Sequence, residues 1–342
     1  MHCDTNPLEK RAIRRMTLRL IPFMFILYIV AYLDRVNVGF AALQMNAELQ
    51  LSHATFGLGS GIFFIGYFLF EIPSNLILHK IGARIWIARI MISWGVIASA
   101  MMFVAGPTSF YTLRFLLGFA EAGFFPGMIL YLTYWFPRKY LARNVALFMT
   151  ATALAGVVGG PVSGALLEMH GLGGLSGWQW LFLLEGLPAV LLGLAVFFYL
   201  PDRPENSAWL PEEEKAWLRG QLAQEEKEKT GQPEQGLFQT VRSGRVWVLC
   251  LVYFTLVVAM YGIAFWMPLM LKSIGGLSDF LVGVVSTFPY LIAAGFMVIV
   301  ATSSDRTGDR RLHMAGALVM ASIGFGLSVL TDSLVGSVFC LA

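Results

Sequence analysis

Long apolar runs alternate along this chain with short polar breaks. A bilayer core takes about 20 consecutive apolar residues of helix. Runs of that kind predict spans at 18–42, 56–78, 85–105, 110–135, 143–168, 178–200, 245–271, 280–302 and 312–331. A tenth run begins near Leu334. The breaks carry turn chemistry, as in Gly106-Pro107-Thr108-Ser109, Gly171-Leu172-Gly173-Gly174 and Gly275-Gly276. The pattern predicts an all-α membrane protein with nine complete spans and a partial tenth. The first run is long and no small-x-small cleavage site follows it, so it reads as a retained span rather than a signal peptide.

Composition agrees with the pattern. Of the 342 residues, 57% are hydrophobic and 13% charged, and the mean hydropathy is +0.69. A soluble domain carries roughly 25% charged residues, so an ordinary soluble enzyme is excluded, as is a disordered chain. The net charge of +3 is too small to suggest a nucleic-acid partner. Its placement is more informative. Lys and Arg gather in the N-terminus, in the loops after spans two, four and eight, and in the long connector after span six. Only Lys272, Arg35 and Arg114 fall elsewhere. By the positive-inside rule the N-terminus is cytoplasmic, and the alternation supports the span count. Cys3, Cys250 and Cys340 have no metal or redox spacing, and the histidines form no cluster. No nucleophile–base pair, metal set or nucleotide loop stands out, so neither an enzyme nor a resident cofactor is expected.

The organisation is read as an N-terminal six-helix bundle (1–200), a cytoplasmic linker (201–244) and a partial C-terminal bundle (245–342). In the linker, Pro211 followed by Glu212-Glu213-Glu214 predicts the start of a surface helix, with acids favoured at its N-terminal dipole. The linker itself reads as a solvated connector. A short pattern occurs twice: Lys80-Ile81-Gly82-Ala83-Arg84 after span two, and Arg306-Thr307-Gly308-Asp309-Arg310, preceded by Asp305, after span eight. Equivalent positions in two halves imply a six-plus-six layout. The glycines suit tight turns, and the flanking charges can bond the helix ends of a neighbouring span.

With these loops, the charged connector and the two-half layout, the chain resembles the major facilitator superfamily. Three segments sharpen the resemblance: Tyr32-Leu33-Asp34-Arg35-Val36-Asn37 in span one, Arg114-Phe115-Leu116-Leu117-Gly118-Phe119-Ala120-Glu121 through Pro126-Gly127 in span four, and Gly177-Trp178-Gln179-Trp180 through Glu185-Gly186-Leu187-Pro188 opening span six. They are similar to the anion:cation symporter family, which includes bacterial transporters of tartrate, phthalate, sugar acids and hydroxyphenylacetate. Two departures stand out. His79 occupies a position where the superfamily pattern often has Asp. The family has twelve spans and this sequence stops early in the tenth, so the second half is expected to be incomplete as given.

Charges inside the spans carry the chemistry. Each costs about 2.5–3.5 kcal/mol at the bilayer centre, so Asp34, Arg35, Arg114 and Glu121 must face one another or a polar interior. They would be either buried ion pairs pinning helices or the lining of a cavity. Arg114 and Glu121 are seven apart, on one helix face and about 10 Å from each other. That is too far for a direct pair and suited to a shared cavity. Asp34 and Arg35 are adjacent and point roughly 100° apart. The resemblance implies Arg35 and Arg114 in binding a substrate carboxylate, and Asp34 and Glu121 in proton coupling. It also implies a gating role for the loop residues Gly82, Arg84, Asp305, Arg306, Gly308 and Arg310. Arg offers a planar, permanently charged fork for carboxylate, and burial favours the neutral form of a carboxyl, which lets it load and release protons. Tyr32, Tyr67 and Tyr261 are candidate substrate contacts, with Tyr28 and Phe125 nearby. Glu71 and Glu185 could be cavity groups and read more readily as groups that bond neighbouring helix ends, and Gly156, Gly160 and Gly164 read as a packing stripe with Pro161 as a kink.

The expectation is a monomeric, multi-pass transporter in the cell inner membrane. It would carry a small organic anion with protons, the proton gradient being its energy source, by rocking two halves about a midplane site. Rival readings are an organic-anion exchanger and a membrane sensor that binds without transport.

Overall fold

The computed structural model describes residues 7–230 and 242–341, apart from residues 329 and 332. Every regular element among the described residues is helical. Among the described residues, nine helical stretches are long and apolar enough to cross a membrane: Pro7–Glu48, His53–Ile81, Ala83–Phe103, Pro107–Trp135, Arg138–Leu167, Gly177–Tyr199, Gly244–Ile274, Asp279–Ser304 and Arg311–Ser328. They coincide with the nine predicted runs, extended at most ends by polar turns. The tenth run begins a short helix, Leu334–Leu341.

The elements are α1 (Pro7–Glu48), α2 (His53–Ile81), α3 (Ala83–Ala100), α4 (Pro107–Glu121), α5 (Phe124–Trp135), α6 (Arg138–Leu167), α7 (Gly177–Tyr199), α8 (Glu212–Thr230), α9 (Gly244–Gly275), α10 (Asp279–Val285), α11 (Thr287–Thr307), α12 (Arg310–Ser328) and α13 (Leu334–Leu341). Helices α1 to α7 enclose an apolar core that includes Trp94, Trp135, Phe63, Phe124 and Phe148. The outer surface is apolar as well: Phe68, Leu191 and Phe198 are exposed, as lipid-facing helix surfaces require.

Span four is not one continuous helix. It breaks between α4 and α5, where Gly123 takes φ +85°. Pro126 has no N–H to give the Ala122 carbonyl four residues before it. The Ser74 hydroxyl of α2 supplies that bond instead, donating to the Ala122 oxygen at 2.7 Å. The break leaves Glu121 as the last residue of α4. Just before it, Gly118 lets α2 approach so closely that any Cβ there would run into the Phe63 carbonyl.

The connector is not a free strap. Leu210 and Leu218 are buried, and Trp209 and Trp217 pack against the same core. Glu214 faces Arg15 of α1 at 3.6 Å. The first part of the predicted solvated linker is therefore docked on the N-terminal bundle, and Glu212–Thr230 forms the predicted helix with three glutamates in its first turn.

Contacts between the first seven helices and α9 to α11 gather at one end of the bundle. Gln44 Nε2 donates to Asp279 Oδ2 at 2.7 Å, and Lys272 Nζ reaches the other oxygen of Asp279 at 2.8 Å. The Glu168 carboxylate accepts from the Phe280 backbone at 3.2 Å, and Thr287 donates to the Val157 carbonyl at 3.1 Å. Gly160 and Gly283 cross backbone to backbone, each where a Cβ would strike the other's carbonyl. Gly160→Leu is expected to force this end apart, since overpacking costs about 1–3 kcal/mol. Ser286, buried beside Gly160, reports on it. With Cys3, Cys250 and Cys340 replaced by serine, Ser286→Cys should label faster with an impermeant thiol reagent when Gly160→Leu is present. Unchanged labelling would show that the glycine crossing does not hold the end closed.

Candidate functional site

The four intramembrane charges separate into two groups on either side of α1. Successive helical side chains diverge by about 100°, so Asp34 and Arg35 face different neighbours. Asp34 is buried within the N-terminal bundle, where its Oδ2 accepts from Trp94 Nε1 of α3 at 2.7 Å and Asn37 Nδ2 lies 3.5 Å from Oδ1. Arg35 turns toward the junction of the two parts. Its guanidinium pairs with the Glu121 carboxylate at the end of α4. Its other terminal nitrogen donates to the Tyr261 hydroxyl of α9 at 2.8 Å. One cation thus spans a carboxylate from the first part and a phenol from the second.

Arg114 does not pair with Glu121, as the seven-residue spacing anticipated. It is fully buried (0% exposed). Nη2 makes a long bond to the Ser60 carbonyl, 3.4 Å, while Nε and Nη1 have no hydrogen-bond partner among the described residues. Its guanidinium carbon lies 4.9 Å from the Phe63 ring centre and 5.9 Å from that of Phe265. Arg35 lies 5.8 Å from the same Phe63 ring and 5.2 Å from that of Tyr67. Both arginines therefore lie within cation–π reach of the Phe63 ring. Arg35 keeps 13% of its side chain exposed whereas Glu121 keeps 1%.

Of the tyrosines singled out, Tyr67 and Tyr261 touch Arg35. Tyr32 is buried in the apolar cluster that joins the two parts, together with Phe40, Ala155 and Phe265. Tyr28 packs against Phe125 and Phe148, at ring-centre distances of 5.7 and 4.8 Å. Glu185 is buried and accepts from Ser163 Oγ at 2.7 Å, bridging α7 and α6. Glu71 is half-buried on α2.

The loop residues lie far from this cluster. Gly82 ends α2 at φ +101°. Its neighbour Arg84 is held by Asp202 just beyond α7, through the backbone N–H at 2.9 Å and Nε at 3.4 Å. Gly308 ends α11 at φ +70°, and Arg306 is exposed. The side chains of Asp305 and Arg310 lie outside the described residues. Sequence reasoning missed Trp94, Phe63 and Asp202. An indole or a phenylalanine in an apolar span gives no local signal, since only its tertiary neighbour makes it polar in effect. Asp202 could have been found, because Pro201-Asp202-Arg203 marks the end of span six.

The model for the Major Facilitator Superfamily matches residues 24–342. A protein of Agrobacterium vitis described as "Putative tartrate transporter" is 52% identical over 323 residues, covering 94% of this chain and 74% of the relative. A quinolone resistance transporter of Acinetobacter baumannii is 43% identical, covering 98% and 77% respectively. Among solved structures, a bacterial homolog of the human lysosomal transporter Spinster, inward-facing and occupied, superposes with a TM-score of 0.72 at 18% identity, over 98% of this chain and 71% of that one. That likeness carries the fold alone. A family match along nearly the whole chain and relatives of this identity make it a multi-pass membrane transporter, not an enzyme, and a member of the major facilitator superfamily.

Proposed function

We propose that this transporter carries a small organic carboxylate together with protons. The observation that carries the reading is Arg114: a permanently charged, fully buried guanidinium with two donors unpartnered among the described residues. A buried cation left this way is costly, and a planar fork of donors is the shape that a carboxylate satisfies. The relative described as a tartrate transporter supports an acid as the substrate class.

Coupling follows from the Arg35–Glu121 pair. While Glu121 is ionised it occupies Arg35. A proton arriving at Glu121 cancels that charge and frees Arg35 for the incoming carboxylate, with Arg114 and Tyr261 beside it. Substrate negative charge then replaces carboxylate negative charge beside Arg35. Asp34, held by Trp94, is the second proton-accepting group in this reading. Tyr67 lies against Arg35, and Tyr32 packs in the apolar cluster behind it. The closed end at Asp279 fits one state of an alternating-access cycle, in which residues 1–200 and 245–342 rock about the site. Gly82, Arg84, Arg306 and Gly308 would hold the loop ends during that motion. The basic loops support a cytoplasmic N-terminus in a cell inner membrane, and a monomer suffices because the site is built within one chain.

Uptake of labelled organic acids into proteoliposomes, with and without an inward proton gradient, tests this. One acid should accumulate above equilibrium only when the gradient is imposed. Uptake that requires counter-substrate inside, and ignores the gradient, would make the protein an exchanger instead. Saturable binding with no flux would make it a sensor.

A further inference from the structure

We propose that a basic groove between the start of α1 and the start of α6 binds the headgroup of an anionic phospholipid. The groove has a volume of about 440 Å³, and its lining includes Lys10, Arg14 and Arg143, with no carboxylate. None of the three cations is in an ion pair among the described residues, and all are exposed.

That sets them apart from other basic residues at the same end of the bundle. Arg15, Arg84 and Lys139 face Glu214, Asp202 and Glu9. Arg19, Arg89 and Arg203 lie over the rings of Tyr199, Trp86 and Tyr134. Those side chains are held by the protein. The groove cations are left to a ligand. Glu9, the carboxylate nearest in sequence to Lys10, is taken up by Lys139 and Tyr140, at 3.1 and 2.5 Å.

The floor of the groove is polar and already satisfied. Thr17 donates to Asn144 Oδ1 at 2.8 Å, and Asn144 Nδ2 donates to the Tyr140 carbonyl at 2.9 Å. The floor is therefore set without a ligand and has no reason to collapse onto one. The position along α1 chooses the ligand. Lys10, Arg14 and Leu18 recur every four residues on one helix face, and Leu18 is an exposed apolar side chain at the upper rim. At 1.5 Å per residue, Arg14 and Lys10 stand about 6 and 12 Å beyond Leu18. Leu18 opens the first apolar run, so the cations stand at headgroup depth and Leu18 at acyl depth. A phosphodiester with its glycerol would fill the groove while its chains lie against Leu18. Basic pockets between spans are the usual form of such sites.

The test uses the purified full chain in detergent, titrated with phosphatidylglycerol or phosphatidylcholine and read by native mass spectrometry. Phosphatidylglycerol should be retained in preference to phosphatidylcholine. The double variant Arg14→Gln/Arg143→Gln should lower that preference by roughly tenfold or more, at about one charge-equivalent of attraction per residue removed. The control Arg11→Gln/Arg219→Gln removes the same charge outside the groove and should leave the preference intact. Equal loss in the control would reduce the effect to net charge and overturn the site. So would unchanged retention in the groove variant, or displacement of the lipid by equimolar glycerol phosphate, which would make the groove a site for free phosphate esters. Folding of each variant is read in the same spectra from its charge-state distribution. A groove variant that unfolds is replaced by Arg14→Ser/Arg143→Ser, judged by the same outcomes.

Discussion

Arg114→Leu is expected to yield a protein at least as thermally stable as the parent that transports nothing. The two halves of that result come from one piece of geometry. In the absence of substrate, Arg114 buries a full charge with, among the described residues, a single long hydrogen bond to Ser60 and two donors without partners. Replacing such a charge by an apolar side chain of similar bulk is often neutral or stabilising. Were Arg114 a structural pin, the variant would unfold or would still transport. If it holds the substrate carboxylate, truncation removes one partner of a buried charge pair. That loss costs about 2–5 kcal/mol, or roughly 30- to 4,000-fold in apparent affinity at 1.4 kcal/mol per tenfold. Arg114→Lys should recover little, because an ammonium has no planar fork and would lose the packing on Phe63. Melting temperature in detergent and uptake in proteoliposomes, measured on the same preparation, decide the matter. Uptake by Arg114→Leu within a few fold of the parent would remove Arg114 from the binding site.

The spans were legible because their signal is one-dimensional. A run of some 20 apolar residues declares itself whatever it packs against, and an ionisable residue inside such a run is conspicuous because lipid would charge so much for it. Asp34, Arg35, Arg114 and Glu121 all emerged that way. Their partners did not, because pairing is decided across helices. The seven-residue spacing placed Arg114 and Glu121 on one face, yet Glu121 meets Arg35 of α1. The break at Ala122–Gly123 that leaves Glu121 at the end of α4 depends on Ser74, 48 residues away in sequence. The connector shows the opposite failure. Its average polarity predicted a solvated strap, while four apolar side chains, Trp209, Leu210, Trp217 and Leu218, were enough to dock its beginning on the bundle. Averages over a segment hide a docking face that recurs only every seven or eight residues.

Glu121→Gln is expected to separate binding from energy coupling. An amide is a fixed mimic of the protonated acid: it leaves Arg35 without its carboxylate at every pH. In the parent, substrate and Glu121 compete for the same guanidinium, so apparent affinity should fall as pH rises and Glu121 ionises. In the variant that competition is gone, and affinity should be high and flat with pH. A proton gradient then has nothing to act on at this position, so accumulation above equilibrium is lost while exchange of labelled for unlabelled substrate persists. The variant also exposes the cost of an unpaired Arg35. Breaking a buried pair by removing one partner costs about 3–5 kcal/mol, so the empty protein should melt earlier, and added substrate carboxylate should restore more stability than it adds to the parent. Tyr261→Phe provides the internal comparison. It removes the other Arg35 bond, 2.8 Å from Nη1, without touching an ionisable carboxyl, and should weaken binding while leaving the pH dependence in place. Gradient-driven accumulation that survives in Glu121→Gln would move coupling to Asp34, the buried carboxyl held by Trp94 on the other side of α1, and Asp34→Asn would then be the variant that loses it.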